Sequence, residues 1–202
     1  MKNYVINNCM KIVNYNNNYD EEQLEIIKYG LEGFYLQITK IFIIILISLI
    51  LGIFKEAIIF LLIYNIIRAT SFGLHATKSW ICLLSSTLIF IGGPIICQYL
   101  TIPVYFRTIL NVIIIGFVFK NSSADTKNRP IVNSKRRQFY KYSSTIIAII
   151  FAYCSILVSN NFLANCFTLT MLVQSFMISP TVYKIFGLPY NNYVTYMAKN
   201  DI

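Results

Sequence analysis

Apolar residues come in long blocks along this chain, and polar residues gather between the blocks instead of alternating with them. A helix that crosses a bilayer core needs about 20 mostly apolar residues, with a range near 17 to 25. Windows of this kind fall at 38–54, 57–67, 81–100, 102–119, 143–159 and 162–178. Only Lys55 and Glu56 separate the first two, which therefore predict a helical hairpin with a tight charged turn. The second window is short, and a re-entrant element is a competing reading of it. Ahead of the first window, Leu24, Ile27, Leu31 and Phe34 recur three or four apart, with Glu25, Lys28 and Glu32 between them. That period predicts an amphipathic helix lying in the inner membrane interface, and the Asn-rich stretch 14–20 before it predicts a loop.

The expected fold is thus all-α: a polytopic integral membrane protein of about six transmembrane helices, preceded by an N-terminal amphipathic interfacial helix. It forms one membrane-embedded domain over 1–202, with the amphipathic region at 1–37, the transmembrane helices over 38–178, a basic loop at 120–142 and a tail at 179–202. Composition agrees: 56% of the residues are hydrophobic, 12% are charged and the mean hydropathy is +0.61. An acidic run at 20–22 and the lack of a compact apolar segment near the start argue against a removable signal peptide.

Charge orients the spans, because cytoplasmic loops carry the excess of Lys and Arg. With six spans and the N-terminus inside, every one of the 17 basic residues except Lys55 and Arg107 falls on the inner side. Arg107 lies within a span, where it must face the bundle, find a partner or snorkel to an interface. Without a crossing at 57–67, the four N-terminal lysines would be stranded outside. The segment holding His75 is therefore expected on the cytoplasmic side. The net charge of +9 sits mostly within a Debye length of the membrane, which disfavours nucleic acid as a partner.

The stretch RATSFGLHATKSWICLL, 68–84, carries the candidate chemistry. It contains the only histidine, His75, and Cys82 seven residues later. A single His and five cysteines without a C-x-x-C pair leave no metal-ligand cluster, so neither a metal nor a cofactor is expected. Cys97, Cys154 and Cys166 lie inside apolar runs as small hydrophobes. A thiolate is the reactive form of cysteine, and a nearby imidazole or a helix N-terminus favours it. Ser79 as a helix cap would place Cys82 in the first turn. In one continuous helix, seven residues span about 10.5 Å, beyond hydrogen-bond reach. The two residues meet only if the chain breaks between them, and Gly73 supplies the backbone freedom for that turn. Asp125 and Asn65 are candidates to orient the imidazole. Arg68 and Lys78 are placed either to stabilise an oxyanion or a carboxylate or simply to sit at headgroup level.

Arg68, Gly73, His75 and Cys82 at these separations resemble the motif of the accessory gene regulator protein B family, the AgrB membrane peptidases of peptide quorum sensing. SADTKNRPIVNSKRR at 123–137 is similar to that family's inner loop, and LVQSFMISPTVYKIFGLP, with Gln174 and Pro180, to its C-terminal part. One departure is Phe72, where the family often has a further glycine ahead of Gly73. The resemblance implies a cysteine endopeptidase that cleaves an AgrD-like precursor peptide and cyclises its N-terminal portion to a thiolactone or lactone autoinducing peptide. Cys82 would be the nucleophile and His75 its base, with Arg68 and Gly73 shaping the site; a homodimer in the cell membrane of a Gram-positive bacterium is also implied. Lys135, Arg136 and Arg137 of the basic loop either contact anionic lipid or hold an acidic segment of the precursor. A non-enzymatic peptide exporter is the rival reading: it would share the topology but has no need for a His and a Cys near one helix entrance.

Overall fold

The computed structural model describes residues 2–15, 19–74, 79–126 and 130–200. Within them the regular elements are all helical: α1 (Lys2–Tyr15), α2 (Glu21–Ile50), α3 (Phe54–Ser71), α4 (Ser79–Thr87), a π-helical turn (Leu88–Gly92), α5 (Gly93–Tyr99), α6 (Val104–Asn121), α7 (Ser134–Leu157), α8 (Asn161–Met177), α9 (Pro180–Ile185) and α10 (Asn192–Asn200). The surface is inverted relative to a water-soluble bundle. Leu62, Ile66, Leu88, Ile113 and Ile149 face outward, while Asn111, Ser144, Ser155, Thr170 and Gln174 are buried among the helices. Lipid solvates an apolar exterior, and hydrogen bonds between helices satisfy a polar interior, so this is a membrane protein.

Among the described residues four helices are long and apolar enough to cross a membrane: 23–50, 80–99, 104–121 and 134–157. The remaining two windows are also helical but shorter or more charged. α8 has 17 residues, and α3 has 18 with Lys55, Glu56 and Arg68 among them. The segment at 57–67 is thus the middle of one unbroken helix of about 27 Å. The third window is bent from straight α-geometry by the π-turn before Pro94, whose ring removes an N–H and clashes with the carbonyl four residues back.

Two sequence expectations need correction. The amphipathic segment does not end before the first span: α2 runs unbroken for 30 residues from an Asp20–Gln23 capping box. At about 1.5 Å per residue it is longer than a hydrocarbon core is thick, and the amphipathic stretch and the first apolar window are one helix. Ahead of it a further helix, α1, packs on α2. The second half of the basic segment is helix, because α7 begins at Ser134 under an Asn133 cap and carries Lys135, Arg136, Arg137 and Lys141 in its first turns.

Short connections at 51–53, 100–103 and 158–160 make neighbouring helices antiparallel. At that end of the bundle Arg107, 3% exposed, donates from Nη1 to the Ser155 carbonyl at 2.9 Å and from Nη2 to Asn165 Oδ1 at 2.8 Å. Asn165 in turn donates to the carbonyls of Cys97 and Leu100, and Asn111 to Ser155 Oγ. The in-span arginine therefore faces the bundle and joins α5, α6, α7 and α8. Cys97 and Cys166 are fully buried, as expected, whereas Cys154 is only partly so.

Candidate active site

The opposite end is organised by a three-residue turn. α3 stops at Ser71, and the chain passes through Phe72 at φ 55° and Gly73 at φ 108°. Its backbone polar groups are tied to α3, to α8 and to the segment after α6. The Gly73 N–H donates to the Ala124 carbonyl, the Leu74 N–H donates to Met177 O, and the Phe72 carbonyl accepts from Gln174 Nε2 at 2.7 Å. A short parallel bridge links Phe72 to Ala124. A Cβ at Gly73 would lie 2.7 Å from the Met177 carbonyl oxygen, so glycine is needed both for its φ and for the close approach. Phe72 occupies a conformation that favours glycine, in keeping with the missing family glycine; its ring is held edge-on against Tyr140 at 4.7 Å.

Arg68, in the last turn of α3, reaches over this turn and donates from Nη2 to the Leu74 carbonyl at 2.7 Å. Its Nη1 is buried without a partner. The guanidinium thus fixes the residue immediately before His75. His75 and Lys78 lie outside the described residues. Gly73 and Leu74 are not helical, and the described part of α4 begins at Ser79, with Cys82, half-buried, three residues on.

Both candidates for orienting the imidazole have bonds elsewhere. Asn65 is exposed on α3 and donates to the Leu61 carbonyl of its own helix. Asp125, 4% exposed, is committed to the C-terminal segment: its carboxylate accepts from the backbone N–H groups of Asn192 at 2.9 Å and Tyr193 at 2.7 Å, at the start of α10. Its carbonyl accepts from Tyr183 Oη. Burial, reinforced by the adjacent Asp125, pushes the Tyr183 phenol well above its usual range despite the opposing pull of Arg68, and burial likewise raises Tyr190.

The basic candidates divide. Lys135 and Arg136 are exposed, and Arg136 borders a cleft of about 320 Å³ with Phe72, Ile131, Asn133 and Tyr140. Arg137 instead stacks on Tyr193 of α10 at 3.7 Å, and Lys141 lies over the Phe119 ring at 4.4 Å. No group of three metal-ligating side chains occurs among the described residues. Sequence reasoning passed over the structural use of Gln174 and the tail residues Tyr183, Asn192 and Tyr193; the only signal for the first was a lone amide inside an apolar run.

Comparison with known proteins places this arrangement. The family model described as accessory gene regulator B matches residues 5–178. An AgrB-like protein of Clostridium acetobutylicum is 29% identical over 174 residues, covering 85% of this chain and 83% of its own. One from Listeria monocytogenes is 30% identical over 181 residues, with 88% and 87% covered, and one from Clostridium perfringens is 33% identical over 147 residues, with 69% of each covered. No solved structure matches. With its arginine-held turn leading into the His75 and Cys82 segment, this chain belongs to the accessory gene regulator B family.

Proposed function

We propose that the protein is a membrane-embedded cysteine endopeptidase that processes an AgrD-like precursor and closes part of it into a thiolactone or lactone signal for quorum sensing. The observation that carries this reading is the turn at 72–74, where α3 ends and Arg68, Gly73 and Gln174 fix the backbone that leads into His75. In this reading the segment holding His75 folds back toward Cys82 in α4. Cys82 sulfur attacks the scissile carbonyl while His75 takes the thiol proton; a C–S bond forms. The C–N bond then breaks as the imidazolium returns that proton to the leaving amine, leaving an acyl-thioester on Cys82.

A thiol or hydroxyl of the precursor next attacks the thioester, closes the ring and releases Cys82. Amide to thioester is uphill and thioester to thioester nearly neutral, so the site must keep water away until the internal nucleophile reacts. We place six spans across the cell membrane, with the chemistry on the cytoplasmic side, anionic lipid near the basic first turns of α7 and a second copy of the chain as partner. Exposed Lys135 and Arg136 would hold an acidic part of the precursor, an attraction that salt weakens.

The test co-expresses a cognate precursor with the wild type and with Cys82→Ala, and looks for the released C-terminal fragment by mass. The fragment is expected with the wild type alone; its release by the variant would sink the peptidase reading.

A further inference from the structure

The cleft beside the turn at 72–74 combines three features that a single kind of occupant satisfies together. Phe72 and Tyr140 give it an aromatic wall, their rings edge-on at 4.7 Å. Pro130, Ile131 and Val132 add apolar surface, and Arg136 adds a positive charge. Its volume of about 320 Å³ has room for one large side chain and a short length of main chain.

Main-chain groups along this cleft are left over. The stretch 130–133 is neither helix nor strand. The Ile131 N–H makes only a long bond, 3.4 Å, to Asp125 Oδ2. The Val132 N–H and the carbonyls of Ile131 and Val132 have no hydrogen-bond partner among the described residues. An extended peptide can pair with such groups as it pairs with a sheet edge, whereas the acyl chain of a lipid has no use for them. Arg136 is exposed and meets no carboxylate among the described residues.

Spacing on α7 defines the occupant further. Arg136 and Tyr140 stand four residues apart on one face of the helix, a rise of about 6 Å. In an extended chain, residues two apart point the same way and are separated by about 6.6 Å. A carboxylate that meets Arg136 and a bulky apolar side chain that meets Tyr140 therefore come from positions i and i+2 of one peptide. Phe72, on the cleft wall, directly precedes Gly73 and stands three residues before His75. The occupant thus lies where the chain leads into the candidate chemistry.

We propose that this cleft is a recognition subsite for an extended peptide segment, which pairs its main chain with Ile131 and Val132, lays a bulky apolar side chain against Phe72 and Tyr140, and offers Arg136 a carboxylate two residues away. This rests on the reading of the protein as a peptidase and makes the segment a part of the precursor.

The full-length protein carrying Cys82→Ala, which separates binding from turnover, is made with p-benzoylphenylalanine in place of Ile131 or Tyr140 and co-expressed with a tagged cognate precursor. After irradiation, both positions are expected to give peptide adducts, and the same probe in place of Tyr153, exposed toward the far end of α7, none. Peptide mass should place the adducts on or beside an apolar residue with Asp or Glu two positions away. With Cys82 present, Arg136→Glu should raise KM for the precursor about tenfold with kcat little changed, and a precursor with that acidic residue changed to Lys should restore it. Peptide adducts missing from both cleft positions or equally strong from position 153, adducts to phospholipid in their place, or a reversed precursor that fails to rescue would each overturn the proposal. Crosslinking needs no bond cleavage, so precursor cut by Cys82→Ala would sink the peptidase reading separately.

Discussion

Gly73 and Phe72 show how one residue can be legible and its neighbour not. Gly73 was readable because His75 and Cys82 cannot meet without a turn. The structure adds a second requirement, the 2.7 Å approach to the Met177 carbonyl, which no local pattern reveals because its partner lies about a hundred residues away. Gly73→Ala meets a strained φ, roughly 1–3 kcal/mol, as well as that contact. Precursor cleavage should fall at least tenfold while the protein still accumulates in the membrane, measured by fragment mass against an immunoblot. Phe72 at φ 55° was legible only as a departure from a family habit, since its compensation, the ring on Tyr140, is a tertiary contact. Arg68 was chosen from the sequence for an oxyanion or headgroup role, and its described bond is instead to a backbone carbonyl. Arg68→Lys keeps the charge but loses the fork that reaches Leu74 while leaving a second nitrogen buried, and should not restore processing.

At the level of elements, periodicity found the apolar windows but misjudged where helices begin. α2 and α7 both extend past their apolar runs into charged sequence, because side-chain caps at Asp20 and Asn133 start them there, and hydropathy does not register caps. The docking of the C-terminal segment was equally hidden: it depends on Asp125 receiving the first N–H groups of α10, a pairing of residues 67 and 68 apart. Charge-assisted bonds of this kind contribute about 1.5–3 kcal/mol each. Asp125→Ala should thus release the tail, and limited proteolysis beyond residue 186 should speed up at least tenfold. The raised phenols make the same docking sensitive to alkali. Because Tyr183 and Tyr190 hold their protons more tightly in the folded state, their contribution is intact below about pH 10, the ordinary phenol value, and is lost as pH rises above it. Hydrogen exchange in α9 and α10 should accelerate above that pH and not below pH 9.

For the whole molecule, blocks of apolar residues sufficed to establish an all-helical membrane protein, and the placement of Lys and Arg gave a consistent orientation. What they left out is the division of labour between the two ends of the bundle. One end is locked by Arg107 against α7 and α8; at the other, α3 ends in a turn at 72–74 braced from α3, α7, α8 and the segment after α6. Arg107→Ala leaves Asn165 and the Ser155 carbonyl without their donor, a loss of about 3 kcal/mol for a buried charge network, and should lower the melting temperature in detergent by several degrees while sparing the chemistry at the far end. The central claim is that Cys82 carries the acyl group between cleavage and ring closure. It is tested most directly by the intact mass of the protein after brief exposure to a precursor whose internal nucleophile has been changed to alanine, so that the ring cannot close. An adduct equal to the N-terminal part of the precursor less water, located at Cys82 and removed by hydroxylamine, is the predicted result; release of the C-terminal fragment with no adduct at Cys82 would contradict it.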